Sequence, residues 1–236
     1  MMGRYKFAVA VSLLCGFTAC TDDQATRSLV ILQNASATGT DGVCLGSGTE
    51  AANALTTGTI DLNGADGLYL MFPVVRSVIE ADGGASLADV NRRTVFLEGY
   101  DVNVDFGELG GDATSFTGAL SAFIAPGDTS SVPVTATSPV LVDELRARVP
   151  AGEEALIFLS VELFGTLAGS PVRSSELRFP VRVCTNCLVQ NIGACSDVDE
   201  MGAAGHPCGL VQDVLLQCCE NSLGDTICPA EPEELE

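Results

Sequence analysis

The stretch TVFLEGYDVNVDF, residues 94–106, alternates apolar and polar side chains as a half-buried β-strand does. Its apolar residues fall on odd positions before Gly99 and on even positions after it: Val95 and Leu97, then Tyr100, Val102, Val104 and Phe106. The apolar face changes parity at Gly99, which predicts a β-bulge there. A bulge adds one residue to a strand, and glycine tolerates the altered backbone.

Similar short segments recur from residue 28 to residue 183, bounded by clusters of Gly, Asp, Ser and Pro. They cover residues 28–33, 64–75, 115–125, 130–137, 154–165 and 172–183, and the last two form a predicted long hairpin. Pro73 breaks the second of these segments. Pro180 lies on the outward parity of the last one and cannot donate a ladder hydrogen bond, which indicates an edge position or a bulge.

Residues 138–150, SPVLVDELRARVP, follow a different pattern. Ser138 is a suitable N-cap, Pro139 suits the first helical position, and Pro150 ends the segment. Apolar residues recur between them at helical spacing: Val142, Leu145 and Val149. We predict a short helix that crosses between strands.

About seven short strands with one apolar face each predict a mainly β protein, most simply an immunoglobulin-like antiparallel β-sandwich over residues 28–183. The chain has no tryptophan, and this range holds a single cysteine, Cys44. The immunoglobulin sequence signature is therefore absent, and only the architecture is predicted.

The N-terminus has the features of an export signal. Arg4 and Lys6 precede an apolar run over residues 7–17, which is too short to span a bilayer. The run ends in Phe17-Thr18-Ala19-Cys20, which resembles the lipobox of bacterial lipoproteins. We therefore expect a signal peptide over residues 1–19.

The resemblance implies that Cys20 is acylated and becomes the first residue of the mature chain. Several acyl chains on one cysteine anchor a soluble domain stably. Residue 21 is threonine, not the aspartate of inner-membrane lipoproteins, which implies an outer-membrane location on its periplasmic or outer face. Residues 20–27 would be a short tether. The whole chain also resembles uncharacterised Gram-negative lipoproteins that combine a β-rich domain with a cysteine-rich end.

Export places the chain in an oxidising compartment, where cysteines pair. Without Cys15 and Cys20, eight disulfide candidates remain: Cys44, Cys184, Cys187, Cys195, Cys208, Cys218, Cys219 and Cys228. Seven of them lie in the predicted disulfide-rich module, residues 184–228, so complete pairing requires a bridge from Cys44 to that module. Cys218 and Cys219 are adjacent, so we expect them to have different partners.

Two further features complete this end of the chain. Residues 209–220 place apolar residues and cysteines at helical spacing, which predicts a short helix: Leu210, Val211, Val214, Leu215, Cys218 and Cys219. Residues 229–236, PAEPEELE, form an acidic tail that we expect to be disordered.

The chain carries 31 acidic residues against 11 basic ones. Loss of Arg4 and Lys6 with the signal peptide leaves 9 − 31, a net charge near −22. A field of this sign repels nucleic acid, which we exclude as a partner.

The motif Cys184-x-x-Cys187 permits two alternatives to disulfides. A zinc site would use Cys184, Cys187, Cys195, His206 and Cys208, but the interval from Cys195 to Cys208 is too wide for a second ligand pair. A redox dithiol would need a helix N-terminus, whereas the motif follows a predicted antiparallel strand. The exported location favours disulfides over both.

The sequence offers little support for calcium binding in a loop or for hydrolysis. Asp101, Asn103, Asp105 and Asp112 superficially resemble a calcium loop, but Phe106 replaces its glycine and the last ligand is not glutamate. A looser calcium site shared with DGG at 82–84 stays open. His206 is the only histidine and no nucleophile elbow is present, so hydrolysis has little support.

These observations predict a non-enzymatic lipoprotein of the outer membrane, acting as a structural or protein-interaction module of the cell envelope. We expect no catalytic residues, no metal and no cofactor. The membrane would be contacted through the lipid anchor, and an envelope protein is the expected further partner. The alternative is an envelope enzyme or calcium-dependent binding protein that uses the acidic loops.

Overall fold

The computed structural model describes residues 28–40, 43–49, 51–63, 68–81, 92–195, 205–224 and 226–228. The predicted signal peptide, the tether with Cys20, residues 82–84 and the acidic tail lie outside the described residues. In the described part of the chain, no helix is long and apolar enough to span a membrane.

The described chain is mainly β, which confirms the predicted class. Its strands are β1 (Leu29–Ala35), β2 (Ala37–Thr40), β3 (Val43–Gly46), β4 (Ala54–Leu55), β5 (Gly58–Asp61), β6 (Leu70–Met71), β7 (Pro73–Ser77), β8 (Val95–Asp105), β9 (Thr114–Ile124), β10 (Thr129–Ser131), β11 (Val134–Thr135), β12 (Glu154–Leu167), β13 (Ser170–Arg173), β14 (Leu177–Cys184), β15 (Val189–Ala194), β16 (Leu216–Glu220) and β17 (Thr226–Ile227). Helix α1 (Pro139–Arg148) lies between β11 and β12.

The largest sheet has the order β5-β14-β12-β8-β9, with β13 beside the end of β12. The pairs within it are antiparallel except β14 with β5, which is parallel. A second sheet has the order β10-β7-β1-β4. Ile31 and Val75 of the second sheet share one core with Val102, Leu159 and Val181 of the first. The inward faces of both sheets and α1 therefore bury a common apolar interior.

Strand β8 contains the predicted bulge. Its pairing with β12 shifts between Leu97 and Gly99, which leaves Glu98 as the extra residue of β8. At the same place the pairing with β9 shifts the other way, and the extra residue lies on β9, between Ala119 and Ala122. Val95 and Leu97 are buried before the shift, and Tyr100 and Val102 after it. The bulge is confirmed, one position before the glycine.

Helix α1 begins as predicted. The Ser138 Oγ accepts a hydrogen bond from the Leu141 amide at 3.2 Å, and Pro139 is the first helical residue. Val142 and Leu145 are buried in the core. The cap satisfies one of the amides left free at a helix start.

The predicted hairpin forms with a two-residue turn. Leu167 pairs with Ser170, and the residues between, Ala168 and Gly169, have φ of 50° and 80°. Positive φ at both positions matches the twist of the flanking strands. Strand β14 then pairs with β12 as well, so the two long strands are neighbours.

Of the two alternatives predicted at Pro180, the bulge is not found, since β14 pairs with β12 through Pro180 without a register shift, and the edge position is only locally correct. Strand β14 is an inner strand between β12 and β5. Pro180 pairs with Phe158 on one side, whereas the pairing with β5 begins one residue later, at Val181. Pro180 therefore lies one residue before β14 begins to pair with β5.

The helix predicted over residues 209–220 is wrong. The region contains an extended segment followed by β16, which pairs with β15 in parallel and with β17 antiparallel. Cys218 bonds to Cys228, and Cys219 bonds to Cys195. Neighbouring side chains of a strand point to opposite faces, so a strand sends adjacent cysteines to separate partners.

Candidate functional site

The C-terminal module covers the free edge of β5. The Asp213 amide donates to the Thr59 carbonyl at 2.9 Å, and the Asp61 amide donates to the Val211 carbonyl at 3.3 Å. Gln212 forms an antiparallel bridge with Ile60 between these bonds. The segment therefore extends the largest sheet beyond β5, and we call the contact between the module and the sheets the junction.

Gln212 joins two strands at the junction through its side chain. Its Oε1 accepts from the Leu70 amide at 2.7 Å, and its Nε2 donates to the Leu70 carbonyl at 2.9 Å. The residue is 1% exposed. Both polar atoms are satisfied, as a buried amide requires, and the side chain takes the place of a neighbouring strand's peptide group.

Asp213 follows in a left-handed conformation with φ of 59°, which aspartate tolerates better than most residues. Its carboxylate accepts the Thr59 amide at 2.7 Å, the Tyr69 hydroxyl at 3.1 Å and the Gln212 Nε2 at 3.2 Å. Burial raises the pKa of Asp213, and these donors oppose that effect only in part.

Tyr69 is the deepest member of this group, with no solvent exposure. Burial, and then the neighbouring Asp213 carboxylate, raise its pKa well above the usual value. The phenol therefore remains protonated and donates to the carboxylate. The pair holds the module against the sheets.

Asp61 organises the Cys184-x-x-Cys187 loop. Its Oδ1 accepts from the amides of Asn63 at 3.0 Å and Asn186 at 2.8 Å, and its Oδ2 accepts from the amide of Leu188 at 3.0 Å. The residue is completely buried. Three amide donors satisfy a carboxylate that would otherwise be costly to bury.

Cys44 of β3 and Cys208 bond to each other across 164 residues of sequence. Beside them, the buried His206 accepts the Cys208 amide on its Nδ1 at 3.2 Å. Burial lowers the pKa of His206 to about 4, so the ring is neutral at pH 7. His206 thus fixes a turn of the module against the β2–β3 hairpin.

All eight candidate cysteines are paired, which confirms the disulfide framework. The bridges are Cys44–Cys208, Cys184–Cys187, Cys195–Cys219 and Cys218–Cys228. The five residues of the zinc alternative are thereby divided among three bridges and a buried histidine. Atoms of Asp61, Cys184 and Cys187 lie within 4.8 Å of one another, but both sulfurs are bonded and the carboxylate already accepts three amides. This donor set fits a disulfide loop and not a metal.

The calcium candidates lie on the outer face of β8 or beyond its end. Arg173 contacts Asp101 at 2.9 Å, and Arg178 contacts Asp105 at 2.8 Å. A hydrogen bond from Thr117, together with Arg173, lowers the pKa of Asp101. Asn103 and Asp112 are exposed, so the residues alternate with buried ones along a strand and do not form a calcium loop.

The polar groups that fasten the junction were not identified from the sequence. Asp61, Tyr69, Gln212 and Asp213 are separated by up to 152 residues and belong to no motif. The sequence does contain one signal, the polar pair Gln212-Asp213 within an apolar segment. In the helix predicted over residues 209–220, however, both residues lie on the solvent side.

Comparisons with protein-family models, curated proteins and solved structures found no match to this chain.

Proposed function

We propose that this chain is an outer-membrane-anchored lipoprotein that serves as a structural or protein-interaction module of the cell envelope. In this proposal, residues 1–19 are removed, Cys20 is acylated, and the two packed sheets form an immunoglobulin-like sandwich. The chemistry of the exposed acidic surface suits a water-filled compartment and not nucleic acid.

The pairing of eight cysteines supports this proposal most directly. Four bridges account for eight of the ten cysteines, and the other two, Cys15 and Cys20, both belong to the N-terminal segment. A chain with this many bridges belongs in an oxidising compartment, which requires export. Cys20 is left for the acylation that the lipobox resemblance implies.

The junction supports a structural role over catalysis. Asp61, Gln212 and Asp213 are engaged with main-chain donors and acceptors, and His206 binds an amide of its own loop. Groups used in this way stabilise one geometry and are not free to transfer protons to a substrate. The function would then lie on the surface of the folded domain.

The test is expression of the full chain in a Gram-negative host supplied with a radiolabelled fatty acid, followed by membrane fractionation. The wild type and Cys15→Ser should incorporate label and sediment with the outer membrane. Cys20→Ser should lose the label and leave the outer-membrane fraction. Label that persists in Cys20→Ser, or an unlabelled wild type, would contradict the proposal.

A further inference from the structure

We propose that strand β9 pairs with β9 of a second copy of this chain, so that the largest sheet continues across a two-fold dimer. This inference goes beyond the proposed function and does not depend on the lipid anchor. It follows from the state of the sheet edges, from the charges along β9 and from the register of the strand against itself.

Strand β9 is the long free edge of the largest sheet. It pairs with β8 on one side and has no second strand neighbour among the described residues. The opposite edge, β5, is covered by the segment 210–213. The edges of the second sheet are short, three residues in β10 and two in β4. In the part of the chain that the structure describes, this edge of 11 residues is therefore the longest one of the two packed sheets without a covering strand.

The charge pattern favours a second copy as the occupant. Edge strands are commonly protected by charged residues or proline, but residues 114–124 contain neither. The uncharged stretch extends from residue 113 to residue 127, between Asp112 and Asp128. Two copies of a chain with a net charge of −20 repel each other. Contact along this uncharged edge brings no carboxylates of the two strands opposite one another.

Although β9 has an extra residue against β8 between Ala119 and Ala122, its side chains alternate between half-buried and exposed as far as Phe123. Antiparallel pairing about Ala119 places a large side chain opposite a small one on the half-buried face: Phe116 opposite Ala122, and Leu120 opposite Gly118. If the two-fold axis passes through Gly118 instead, Phe116 lies opposite Leu120 of the other copy. If it passes through Leu120, the Leu120 side chains of the two copies lie opposite each other. Of these three pairings, only the one about Ala119 sets each large side chain of this face opposite a small one.

Gly118 has no side chain of its own to place opposite Leu120 of the other copy. The ring of Tyr100, its neighbour on β8, occupies the position where a side chain on Gly118 would lie. Leu120 of the second copy would pack on that ring. On the outer face, Phe123 is 70% exposed beside Phe96 and would gain Ser115 as a neighbour. The dimer is isologous, as two-fold interfaces are.

The test uses the purified full chain and sedimentation equilibrium. We expect a reversible dimer for the wild type and for the control Ala151→Arg, an exposed residue of the turn between α1 and β12. Ala119→Arg places two like charges opposite each other at the two-fold axis and should weaken the dimer by about a hundredfold or more. A wild type that stays monomeric, or a dimer that persists unchanged in Ala119→Arg, would overturn the proposal.

Cysteine cross-linking tests the register independently of affinity. Ala119→Cys should form a disulfide-linked dimer by itself, because residue 119 faces its own copy. Thr117→Cys and Ser121→Cys should each stay unlinked, whereas a mixture of the two should link, and peptide mass mapping would identify the bond. Linking of Thr117→Cys by itself, or the absence of a bond between positions 117 and 121 in the mixture, would overturn the proposed register.

Discussion

The side-chain amide of Gln212 binds both main-chain groups of Leu70, at 2.7 Å through Oε1 and at 2.9 Å through Nε2. The two residues are 142 positions apart in sequence. A single side chain thus joins the disulfide-rich module to β6 as a strand would. The module is held to the sheets by polar contacts as well as by the bridge to Cys44.

Gln212→Leu should destabilise the chain. The apolar side chain fills the same space but leaves the amide and carbonyl of Leu70 without partners, which costs about 1–3 kcal/mol. Chemical denaturation measures the loss of unfolding free energy. The control Gln190→Leu removes an exposed amide of the same module and should change it by less than about 0.5 kcal/mol. Equal stability of both variants would contradict the role of Gln212.

Asp213→Asn should change the pH dependence of stability. The folded state holds the Asp213 proton more tightly than the unfolded state, because burial raises the pKa of this carboxyl above 3.8. As pH rises above that value, the unfolded chain loses the proton first and the free energy of unfolding falls. The fall ends once pH exceeds the folded pKa.

Wild type should therefore lose stability relative to Asp213→Asn as the pH rises from below 3.8 toward neutrality. Unfolding free energies measured across this range check the trend. Asp112→Asn, the loss of an exposed carboxylate, is the comparison for nonspecific charge effects. Parallel curves for wild type and Asp213→Asn would show that Asp213 is not responsible.

The four bridges should contribute unequally. Loop-closure entropy gives about 5 kcal/mol for the Cys44–Cys208 bridge, with its separation of 164 residues, and about 2 kcal/mol for Cys184–Cys187, with a separation of 3. The double variants Cys44→Ser/Cys208→Ser and Cys184→Ser/Cys187→Ser compare them by thermal unfolding. A larger loss from the short bridge would indicate that native contacts such as those of Asp61, and not loop-closure entropy, decide its contribution.

Calcium should leave the melting temperature unchanged. Asp101 and Asp105 already contact Arg173 and Arg178, and a bound ion would have to displace those arginines. Thermal unfolding with calcium, and then with EDTA, tests this directly. A rise in the melting temperature with calcium that EDTA reverses would restore the calcium alternative.

Local pattern predicted the strands, the helix start at Ser138 and the bulge beside Gly99, because each depends on residues close in sequence. The helix predicted over residues 209–220 is wrong because the structure of this region depends on residues that are distant in sequence. Its helical spacing was overridden by distant partners: Thr59 and Leu70 bind its first residues, and Cys195 and Cys228 bind its last ones. The environment of Pro180 likewise depends on where β5 begins to pair with β14, which is set by residues distant in sequence.

The cysteine pattern was more informative than the periodicity for the candidate site. An odd number of cysteines after residue 183 required a link to Cys44 if all pair, and Cys208 supplies it. Counting could not choose among the seven candidates, since the choice depends on how the β2–β3 hairpin meets the module. The contacts of Asp61, Gln212 and Asp213 depend on the same packing.

A disulfide map of the purified, unreduced chain tests the central claim, an oxidised module bridged to the sheets. After alkylation of free thiols and proteolysis, mass spectrometry should find the Cys44 peptide linked to the Cys208 peptide and no alkylated cysteine from residue 44 onward. An alkylated Cys44, or stoichiometric zinc bound to the unreduced protein, would contradict the account.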